Sequence, residues 1–292
     1  MREKEKTRVG PARALLLILL LAALVYIIYI AAPFHRGAQP DDPHAGQVQV
    51  YDGYSYVWFT PEEGVPVSSL KASAFFSDEL GRPVYSGDDY DTVYGVDVAD
   101  YQGDVDWQQV ASSGVRFAIV RVGGRGYGSS GETYIDGYFA KNIEGASAAG
   151  LKVGVYFFSQ AVNTDEARQE AQLVIDALGG FEPSLPVFFD WERIGYDEAR
   201  TDGVTGEELT ELACAFCKTI EKAGLQAGVY MNPDLAYNSY TLKRLCDYTL
   251  WYAYPAHSPD FYYAHELWQY SFEGSVPGID AKCDLDMMFI KK

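Results

Sequence analysis

Short apolar runs alternate with longer segments of helical periodicity from Tyr94 to the end of the chain. Eight of these runs have the length and the valine-rich, aromatic-rich composition of buried strands: YGVDV, RFAIVRV, KVGVYFF, LPVFFDW, QAGVYM, YTLWYAY, ELWQYS and DLDMMF. Three segments between them predict helices that stop at a glycine: DGYFAKNIEGASAAG, TDEARQEAQLVIDALGG and TGEELTELACAFCKTIEKAG. Strands that alternate with helices predict a parallel sheet, and eight strands predict a closed, TIM-like (β/α) barrel. We expect an irregular barrel, because the later strands have shorter connections with less helix.

A different pattern precedes the barrel, between residues 48 and 92. Apolar and polar residues alternate there between glycine and proline breaks, as in VQVYDGYSYVWFTPEEG and ASAFFSDELGRPVYSG. Such a pattern is typical of short antiparallel strands joined in hairpins. The segment is too short to bury a robust core of its own. We therefore expect a small β-rich segment that packs on the barrel domain, residues 93–292, and the pattern assigns it no function.

The N-terminus carries a long apolar run. Residues 1–13 contain five basic side chains, and residues 14–33 contain no charged one. At about 1.5 Å per residue, such a run spans the roughly 30 Å of a bilayer core. The sequence predicts a transmembrane signal anchor at 14–33 with a cytoplasmic tail at 1–13, because basic residues stay inside. Residues 34–47 would be a linker and the rest of the chain would lie outside; a cleaved secretory signal peptide is the alternative.

Charge and cysteine content narrow the possible partners. The chain of 292 residues has 41 acidic and 23 basic residues, for a net charge of -18. Nucleic acid is not an expected partner, because phosphate binding needs basic patches. The four cysteines form disulfides in one of three connectivities or are small buried apolar residues. No histidine lies near them in the sequence, so no metal site is predicted.

The strand LPVFFDWE ends in two carboxylates, Asp190 and Glu192. Because side chains alternate along a strand, both lie on one face with their Cα atoms about 6.5–7 Å apart, and Trp191 points the other way. Such a pair can supply a protonated acid beside an ionised carboxylate, as glycosidic cleavage requires. The alternative is a strand end that exposes two acids to solvent. Barrel active sites lie at the carboxyl ends of strands, where we also expect Asp97; Asp284 starts the last strand, so its place depends on where that strand begins.

The order of the motifs resembles glycoside hydrolase family 25, the lysozymes or N-acetylmuramidases. The motifs are YGVDVADYQGDVDW, RFAIVRVGGRGYG, AAGLKVGVYFFSQA, LPVFFDWE, GVYMN and LWQYSFEGSVPGIDAKCDLD, and the resemblance covers nearly all of Tyr94–Lys292. It implies cleavage of the β-1,4 bond between N-acetylmuramic acid and N-acetylglucosamine in peptidoglycan glycan strands, without metal or cofactor. Together with the apolar run, it suggests a membrane-anchored member of that family.

The resemblance also implies roles for single residues. The positions that match the family's acids are Asp97, Asp190, Glu192 and Asp284, with Glu192 as the general acid. The positions that match its sugar-binding groove are Gln102, Tyr156, Tyr230, Asn232, Trp268 and Gln269. This chain departs from the family at Ala99, where serine is usual, and at Asp286, where asparagine is common. We expect these departures to modulate activity and not to abolish it.

The reaction path is a hypothesis at this stage. The 2-acetamido group of the substrate can attack its own anomeric carbon, with Glu192 as acid and Asp190 orienting the group, which retains configuration. One alternative function is a non-catalytic peptidoglycan-binding domain. Another is a different glycosidase such as a chitinase, which typically carries further acids two and four residues before the first acid of the pair. This chain has Phe188 and Pro186 at those positions, which argues against a chitinase.

Overall fold

Two short β-hairpins come first in the part of the chain that the computed structural model describes, residues 43–195 and 198–292. The strands pair antiparallel: β1 (Val48–Tyr51) with β2 (Tyr56–Phe59), and β3 (Phe75–Ser77) with β4 (Pro83–Tyr85). The carboxylate of Asp52 closes the first hairpin by accepting from the backbone N–H groups of Tyr54 and Ser55, as aspartate often does in turns. The predicted β-hairpin character of this segment is confirmed.

All eight predicted strands are present and close into a barrel. The strands that follow the hairpins are β5 (Tyr90–Val98), β6 (Val115–Arg125), β7 (Thr133–Ile135), β8 (Lys152–Ser159), β9 (Val187–Trp191), β10 (Ala227–Met231), β11 (Thr249–Ala253), β12 (Leu267–Gly274) and β13 (Cys283–Lys291). Around the barrel the order is β5, β13, β12, β11, β10, β9, β8 and β6, and β6 pairs with β5 to close it. The short strand β7 extends the edge of β6 and is not part of the barrel wall.

One strand runs against the predicted direction. The sequence pattern predicts a parallel sheet, but β13 is antiparallel to both of its neighbours, β12 and β5. The reason is the connection at residues 275–282, which is shorter than the dozen or more residues that a parallel crossover needs. Because β13 is reversed, its first residues lie beside the carboxyl ends of the parallel strands. Asp284 therefore reaches the rim of the barrel although it starts its strand.

Five α-helices are formed by the described residues. They are α1 (Trp107–Ser112), α2 (Phe139–Ala148), α3 (Thr164–Leu178), α4 (Gly206–Lys222) and α5 (Pro233–Asn238). The three helices predicted from periodicity are α2, α3 and α4. The side chain of Asn163 caps α3, and Thr205 with Glu208 forms a capping box on α4, which satisfies backbone donors at each start. The helix α3 ends at Gly179, whose φ of 56° suits glycine.

The N-terminal hairpins cover the part of the barrel wall that has no helices. In the described stretches between β11 and β12 and between β12 and β13, no α-helix forms, so the outward side chains of these strands need another cover. Phe75 supplies part of it, with its ring centroid 5.6 Å from that of Trp268 and 6.2 Å from that of Phe289. Phe59, which belongs to the first hairpin, packs edge-on against Tyr263. The expectation that this segment packs on the barrel is confirmed.

The N-terminal predictions fall mostly outside the described residues. The predicted tail at 1–13, the predicted anchor at 14–33 and residues 34–42 of the predicted linker lie there. Across 43–195 and 198–292, no helix combines the length and hydropathy that crossing a bilayer demands. The cysteines carry free thiols, with Cys214, Cys217 and Cys283 buried and Cys246 half-buried. The structure thus favours their interpretation as small apolar residues over the disulfide alternative.

Candidate active site

A cavity of about 430 Å³ opens at the end of the barrel where the parallel strands finish. Its floor is the apolar interior of the barrel, where the rings of Phe188 and Trp251 meet edge-on with centroids 5.2 Å apart. Its polar lining includes Asp97, Gln102, Arg121, Asp190, Glu192, Tyr230, Gln269 and Asp284. All four predicted catalytic acids therefore face one cavity, and they reach it from three different strand ends.

Asp190 and Glu192 enter the cavity from the end of β9. Alternation along the strand places both side chains inside, while Trp191 points outward and its indole N–H donates to the carbonyl of Ala161 at 3.2 Å. Asp190 is only 5% exposed, and its Oδ1 is buried without a hydrogen-bond partner. Asp190 lines the cavity, and the protein leaves the hydrogen-bonding capacity of this oxygen unused. The sequence-based view of this pair as two acids on one inner face is confirmed.

Gln269 joins two acids on the opposite side of the cavity. Its amide nitrogen donates to Asp97 Oδ2 at 2.7 Å and to Asp284 Oδ2 at 3.2 Å. Its amide oxygen accepts from the Tyr230 hydroxyl at 3.1 Å. The side chain thus fixes the orientation of both carboxyl groups. Its amide nitrogen and oxygen are already hydrogen-bonded within the protein. Gln269 lines the cavity, as predicted, and its hydrogen bonds indicate that it holds the acids.

Burial raises the pKa of every carboxyl in this cluster. The pKa of Glu192 rises to about 7, first by burial and then by the charge of Asp284. The pKa of Asp284 rises to about 6 by burial. For Asp190 the pKa is also raised by burial and by the nearby Glu192, and for Asp97 by burial and by Asp286. Several of these groups therefore hold protons near neutral pH, so the site contains proton donors as well as carboxylates.

Asp286 is a fifth carboxyl of the cluster that the site prediction left out. It follows Asp284 by two residues on β13, so it lies on the same inner face, and it is fully buried. Its Oδ1 accepts from the indole N–H of Trp251 at 2.8 Å. Burial raises its pKa to about 8, and a hydrogen bond with Asp97 acts in the opposite direction. The sequence could have identified Asp286, because residues two apart on a strand share a face and Asp284 was already expected at the site.

Arg121 is one of three basic residues that line the cavity, with Arg125 and Lys282, and the site prediction left it out. Its guanidinium donates to Asp136 Oδ2 at 2.7 Å and to Asp100 Oδ1 at 2.5 Å. The ring of Tyr101 lies over it, with the Cζ atom 5.0 Å from the ring centroid. The positive charge of Arg121 counteracts the rise in the pKa of Asp190. A charged residue inside the apolar strand RFAIVRV was the signal in the sequence, because strand interiors bury charge only when it is paired.

Gln160 supports the backbone that carries Glu192. This fully buried side chain donates from Nε2 to the carbonyl of Glu192 at 2.9 Å and accepts at Oε1 from the Thr201 hydroxyl at 3.2 Å. Arg200 donates to the backbone carbonyl of Gln160 at 2.6 Å and pairs with both oxygens of Glu166 at 2.8 Å. The strand end beyond Asp190 is therefore tied to its neighbours by a buried network, which restricts where the carboxyl of Glu192 can lie.

Three of the predicted sugar-binding residues besides Gln269 lie at the cavity. Tyr156 and Tyr230 line it, and both rings contact Trp251 edge-on at 6.1 Å and 5.0 Å. Gln102 lines the rim, where its amide bridges the N–H of Ala99 and the carbonyl of Lys282, each at 2.8 Å. In this arrangement Gln102 anchors the loop after β5 to the start of β13.

Two predicted sugar-binding residues lie elsewhere, and we correct both. Trp268 precedes Gln269, so strand alternation turns it outward, where it is fully buried and donates to the carbonyl of Tyr254 at 2.8 Å. Asn232 follows β10 and caps α5, where its Oδ1 accepts from the N–H of Leu235 at 3.0 Å. Neither lines the cavity. In residues 43–195 and 198–292, no group of histidine, cysteine, aspartate and glutamate has an arrangement that could hold a metal ion.

Comparison with known proteins agrees with this geometry. Residues 96–279 match the sequence model of glycosyl hydrolases family 25. The chain is 28% identical over 193 residues to the autolytic lysozyme of Clostridium acetobutylicum, and this alignment covers 66% of this chain and 54% of the relative. It is 27% identical over 204 residues to the uncharacterized protein YegX of Escherichia coli K12, which covers 67% of this chain and 69% of the relative.

A solved structure of similar fold extends the comparison. It is the modular autolysin LytC from Streptococcus pneumoniae in complex with a synthetic peptidoglycan ligand, with a TM-score of 0.57 at 19% identity. The match covers 83% of this chain and 56% of that one. At this identity the likeness concerns the fold, whereas the family match spans more than half of the sequence and includes Asp97, Asp190 and Glu192. The chain therefore belongs to glycosyl hydrolases family 25 and is a glycoside hydrolase.

Proposed function

We propose that this enzyme is a muramidase that cleaves the β-1,4 bond between N-acetylmuramic acid and N-acetylglucosamine in peptidoglycan. The observation that carries the proposal is the pair of Asp190 and Glu192 on one inner face of β9, in an open cavity shared with Asp97 and Asp284. The autolytic lysozyme among the relatives and the peptidoglycan ligand of the LytC complex support the same substrate class.

Glu192 is the general acid in this proposal. Its pKa of about 7 keeps a large fraction of the side chain protonated at neutral pH, because burial and the charge of Asp284 disfavour the carboxylate. Its partial exposure at the cavity lets it reach a glycosidic oxygen. Proton transfer to that oxygen makes the sugar a better leaving group, which is the role that a raised pKa suits.

Asp190 orients the 2-acetamido group of the bound sugar. A carboxyl oxygen of Asp190 accepts the N–H of that group, and Arg121 counteracts the rise in the pKa of Asp190 that burial and Glu192 cause. The acetamido oxygen attacks the anomeric carbon while the glycosidic C–O bond breaks and Glu192 gives its proton to the leaving oxygen. Water then attacks the same carbon, the bond from that carbon to the acetamido oxygen breaks and restores the acetamido group, and the carboxylate of Glu192 takes the proton of the water. Two displacements at one carbon retain the configuration.

The test of this function is digestion of purified cell wall by the full chain and by Glu192→Gln. The amide is of similar size but has no proton to transfer, so we expect wall solubilisation to fall by at least about two orders of magnitude. The matched control is Glu182→Gln, an exposed glutamate outside the cavity, which should behave as the parent. A Glu192→Gln variant that solubilises wall at the parent rate would overturn the assignment. An inactive parent that still binds wall would favour the non-catalytic binding domain.

We also propose that the enzyme works from the membrane, with its N-terminus in the cytoplasm and the barrel outside. The support is the uncharged run at 14–33 with basic residues before it. A tethered hydrolase would open or remodel wall only within the reach of its linker. Fractionation of cells that produce the full chain tests this: the protein should stay with membranes after a high-salt wash. Mature protein in the medium that has lost residues 1–32 would instead establish secretion after cleavage.

A further inference from the structure

We propose that the outward face of the first hairpin is a second saccharide-binding surface, which holds a neutral stretch of a glycan strand outside the catalytic cavity. This aromatic face consists of the rings of Tyr51, Tyr56, Trp58 and Tyr254. The inference rests on the proposed function for the identity of the ligand, a peptidoglycan glycan. The hairpin precedes residues 96–279, which match the family, so Tyr51, Tyr56 and Trp58 lie outside the shared part of the chain and Tyr254 lies within it.

The two faces of the hairpin differ in what they contact. Register pairs Tyr51 with Tyr56 and Gln49 with Trp58, and partners in an antiparallel pair share a face. The other face carries Val50, which is 2% exposed, and Phe59, which packs on the barrel. The opposite face therefore supplies the apolar packing of the hairpin on the barrel, and the aromatic face touches the barrel through the contact of Tyr51 with Tyr254.

Two rings of the aromatic face are exposed, and three of its four rings are joined by ring contacts. Tyr56 is 62% exposed and Trp58 is 48% exposed. The ring of Tyr51 lies 5.6 Å from that of Tyr56 and 5.7 Å from that of Tyr254, which links the hairpin to the barrel. Polar residues are the usual occupants of a solvated sheet face, and a group of exposed aromatic rings typically marks a binding surface.

The hairpin is fixed to the rim of the catalytic cavity. Asn238 on α5 donates to the carbonyl of Asp52 in the hairpin turn and to the carboxylate of Asp234, both at 3.1 Å. The other oxygen of Asp234 accepts from Arg193 at 3.1 Å, and Arg193 directly follows Glu192. At the opposite end of the face, Tyr254 follows β11, whose Trp251 lines the cavity. These contacts connect the hairpin to the segment that follows Glu192 and to the strand that carries Trp251, and in this proposal a polymer that leaves the cavity over that edge meets the aromatic face.

The chemistry of the face favours a neutral saccharide over an anionic polymer. Tyr56 hydrogen-bonds to the carboxyl of Asp260, and the hairpin turn holds Asp52. These acids and the net charge of -18 repel teichoic-type phosphates. Flat aromatic rings instead pack against the apolar C–H faces of pyranose rings, while hydroxyl and amide groups at the edge, such as Gln49, can bond to sugar hydroxyls.

Binding in the Glu192→Gln background separates this surface from catalysis. The parent for the test is the full chain with Glu192→Gln, and the variant adds Tyr56→Ala and Trp58→Ala. The control adds Phe76→Ala and Leu80→Ala, two exposed side chains of the second hairpin. The probes are uncross-linked glycan strands of ten or more disaccharides and a single tetrasaccharide. Thermal unfolding of all three proteins checks that the fold is intact.

The inference predicts a loss that depends on the length of the ligand. Long strands should bind the face variant roughly tenfold more weakly than the parent, which corresponds to about 1.4 kcal/mol, while the control binds as the parent does. The tetrasaccharide should bind all three proteins equally. Equal binding of long strands by face variant and parent would overturn the surface but leave the proposed function standing. A parent that binds neither probe would contradict the proposed function itself. A parent dimer that the face variant converts to monomer with unchanged glycan binding would make the face a self-association surface and refute the inference.

Discussion

Asp97 and Asp284 are direct partners across the antiparallel pair of β5 and β13, and the amide nitrogen of Gln269 donates to both carboxyl groups. This pairing exists only because β13 is reversed relative to the other barrel strands. It brings Asp97, the first of the four predicted catalytic acids along the chain, beside Asp284, the last of them, on the same rim as Asp190 and Glu192. The site is thus assembled by barrel closure, since Asp97 and Asp284 lie at opposite ends of the barrel sequence.

Asp284→Asn should move the alkaline limb of the pH profile. Asp284 has a pKa of about 6, so above that pH its charge opposes ionisation of Glu192 and helps to raise the pKa of Glu192 to about 7. Removal of that charge lowers the pKa of Glu192, so activity should be lost at a lower pH, by up to about one unit. The measurement is kcat/KM against pH for parent and variant. An unchanged limb would mean that Asp284 does not act on Glu192 by its charge.

Asp286→Asn should make the protein more stable at alkaline pH. The pKa of Asp286 is about 8 in the fold and about 3.8 in a free side chain, so the folded state binds more protons and its stability falls as pH rises between those values. Asparagine removes this cost and can still accept from the Trp251 indole. The free energy of unfolding of the variant, relative to the parent, should rise by roughly 1–4 kcal/mol from pH 5 to pH 8.

The control for that prediction is Asp280→Asn, an exposed acid in the connection before β13. Its difference from the parent should stay constant over the same pH range. Denaturant unfolding at several pH values measures both variants. If the difference between Asp286→Asn and the parent does not depend on pH, the account of a proton held on Asp286 is wrong.

Gln160→Ala should lower kcat more than it changes KM. The side chain holds the carbonyl of Glu192, so its loss frees the acid without removing a group that touches the ligand. Loss of two buried hydrogen bonds should also lower the free energy of unfolding by about 1–3 kcal/mol. Gln172→Ala on the exposed side of α3 is the matched control. A rise in KM with kcat unchanged would place Gln160 in ligand binding and not in positioning.

Phe75→Ala should destabilise the barrel, although Phe75 lies outside the family match. Its ring covers Trp268 and Phe289 on the outer wall, and it is 6% exposed. Truncation of a buried phenylalanine costs about 3–5 kcal/mol. The neighbour Phe76 is 50% exposed, so Phe76→Ala should change stability by less than about 0.5 kcal/mol. Equal stability of the two variants would show that the hairpins do not replace the missing helices.

The strands and helices could be predicted because apolar residues repeat with a different spacing in each type of element. The eight barrel strands and the helices α2, α3 and α4 are all present where apolar runs and glycine stops indicated them. The reversal of β13 was not predicted, because strand periodicity contains no direction and only the short connection at 275–282 encodes it. The packing of the hairpins on the barrel was expected, but the part of the wall that they cover was not, since it depends on which parts of the barrel wall lack helices.

The acids of the site followed from sequence more reliably than the residues around them. Asp190 and Glu192 were identified because side chains alternate along a strand and barrel active sites lie at the carboxyl ends of strands. The same alternation excludes Trp268 from the cavity once Gln269 is known to face inward. Asn232 caps α5 by accepting from a backbone N–H group. A motif match cannot distinguish such a capping residue from one that contacts a ligand. Arg121 was missed because its partners Asp100 and Asp136 come together only in the folded chain.

The most direct test of the central claim is the identity of the reducing end that the enzyme creates. Purified peptidoglycan is digested with the full chain, reduced with borohydride and analysed by mass spectrometry. The account predicts new ends that are reduced N-acetylmuramic acid, present with the parent and with Glu182→Gln and absent with Glu192→Gln. New ends of reduced N-acetylglucosamine, or release of peptides with no new sugar end, would contradict it.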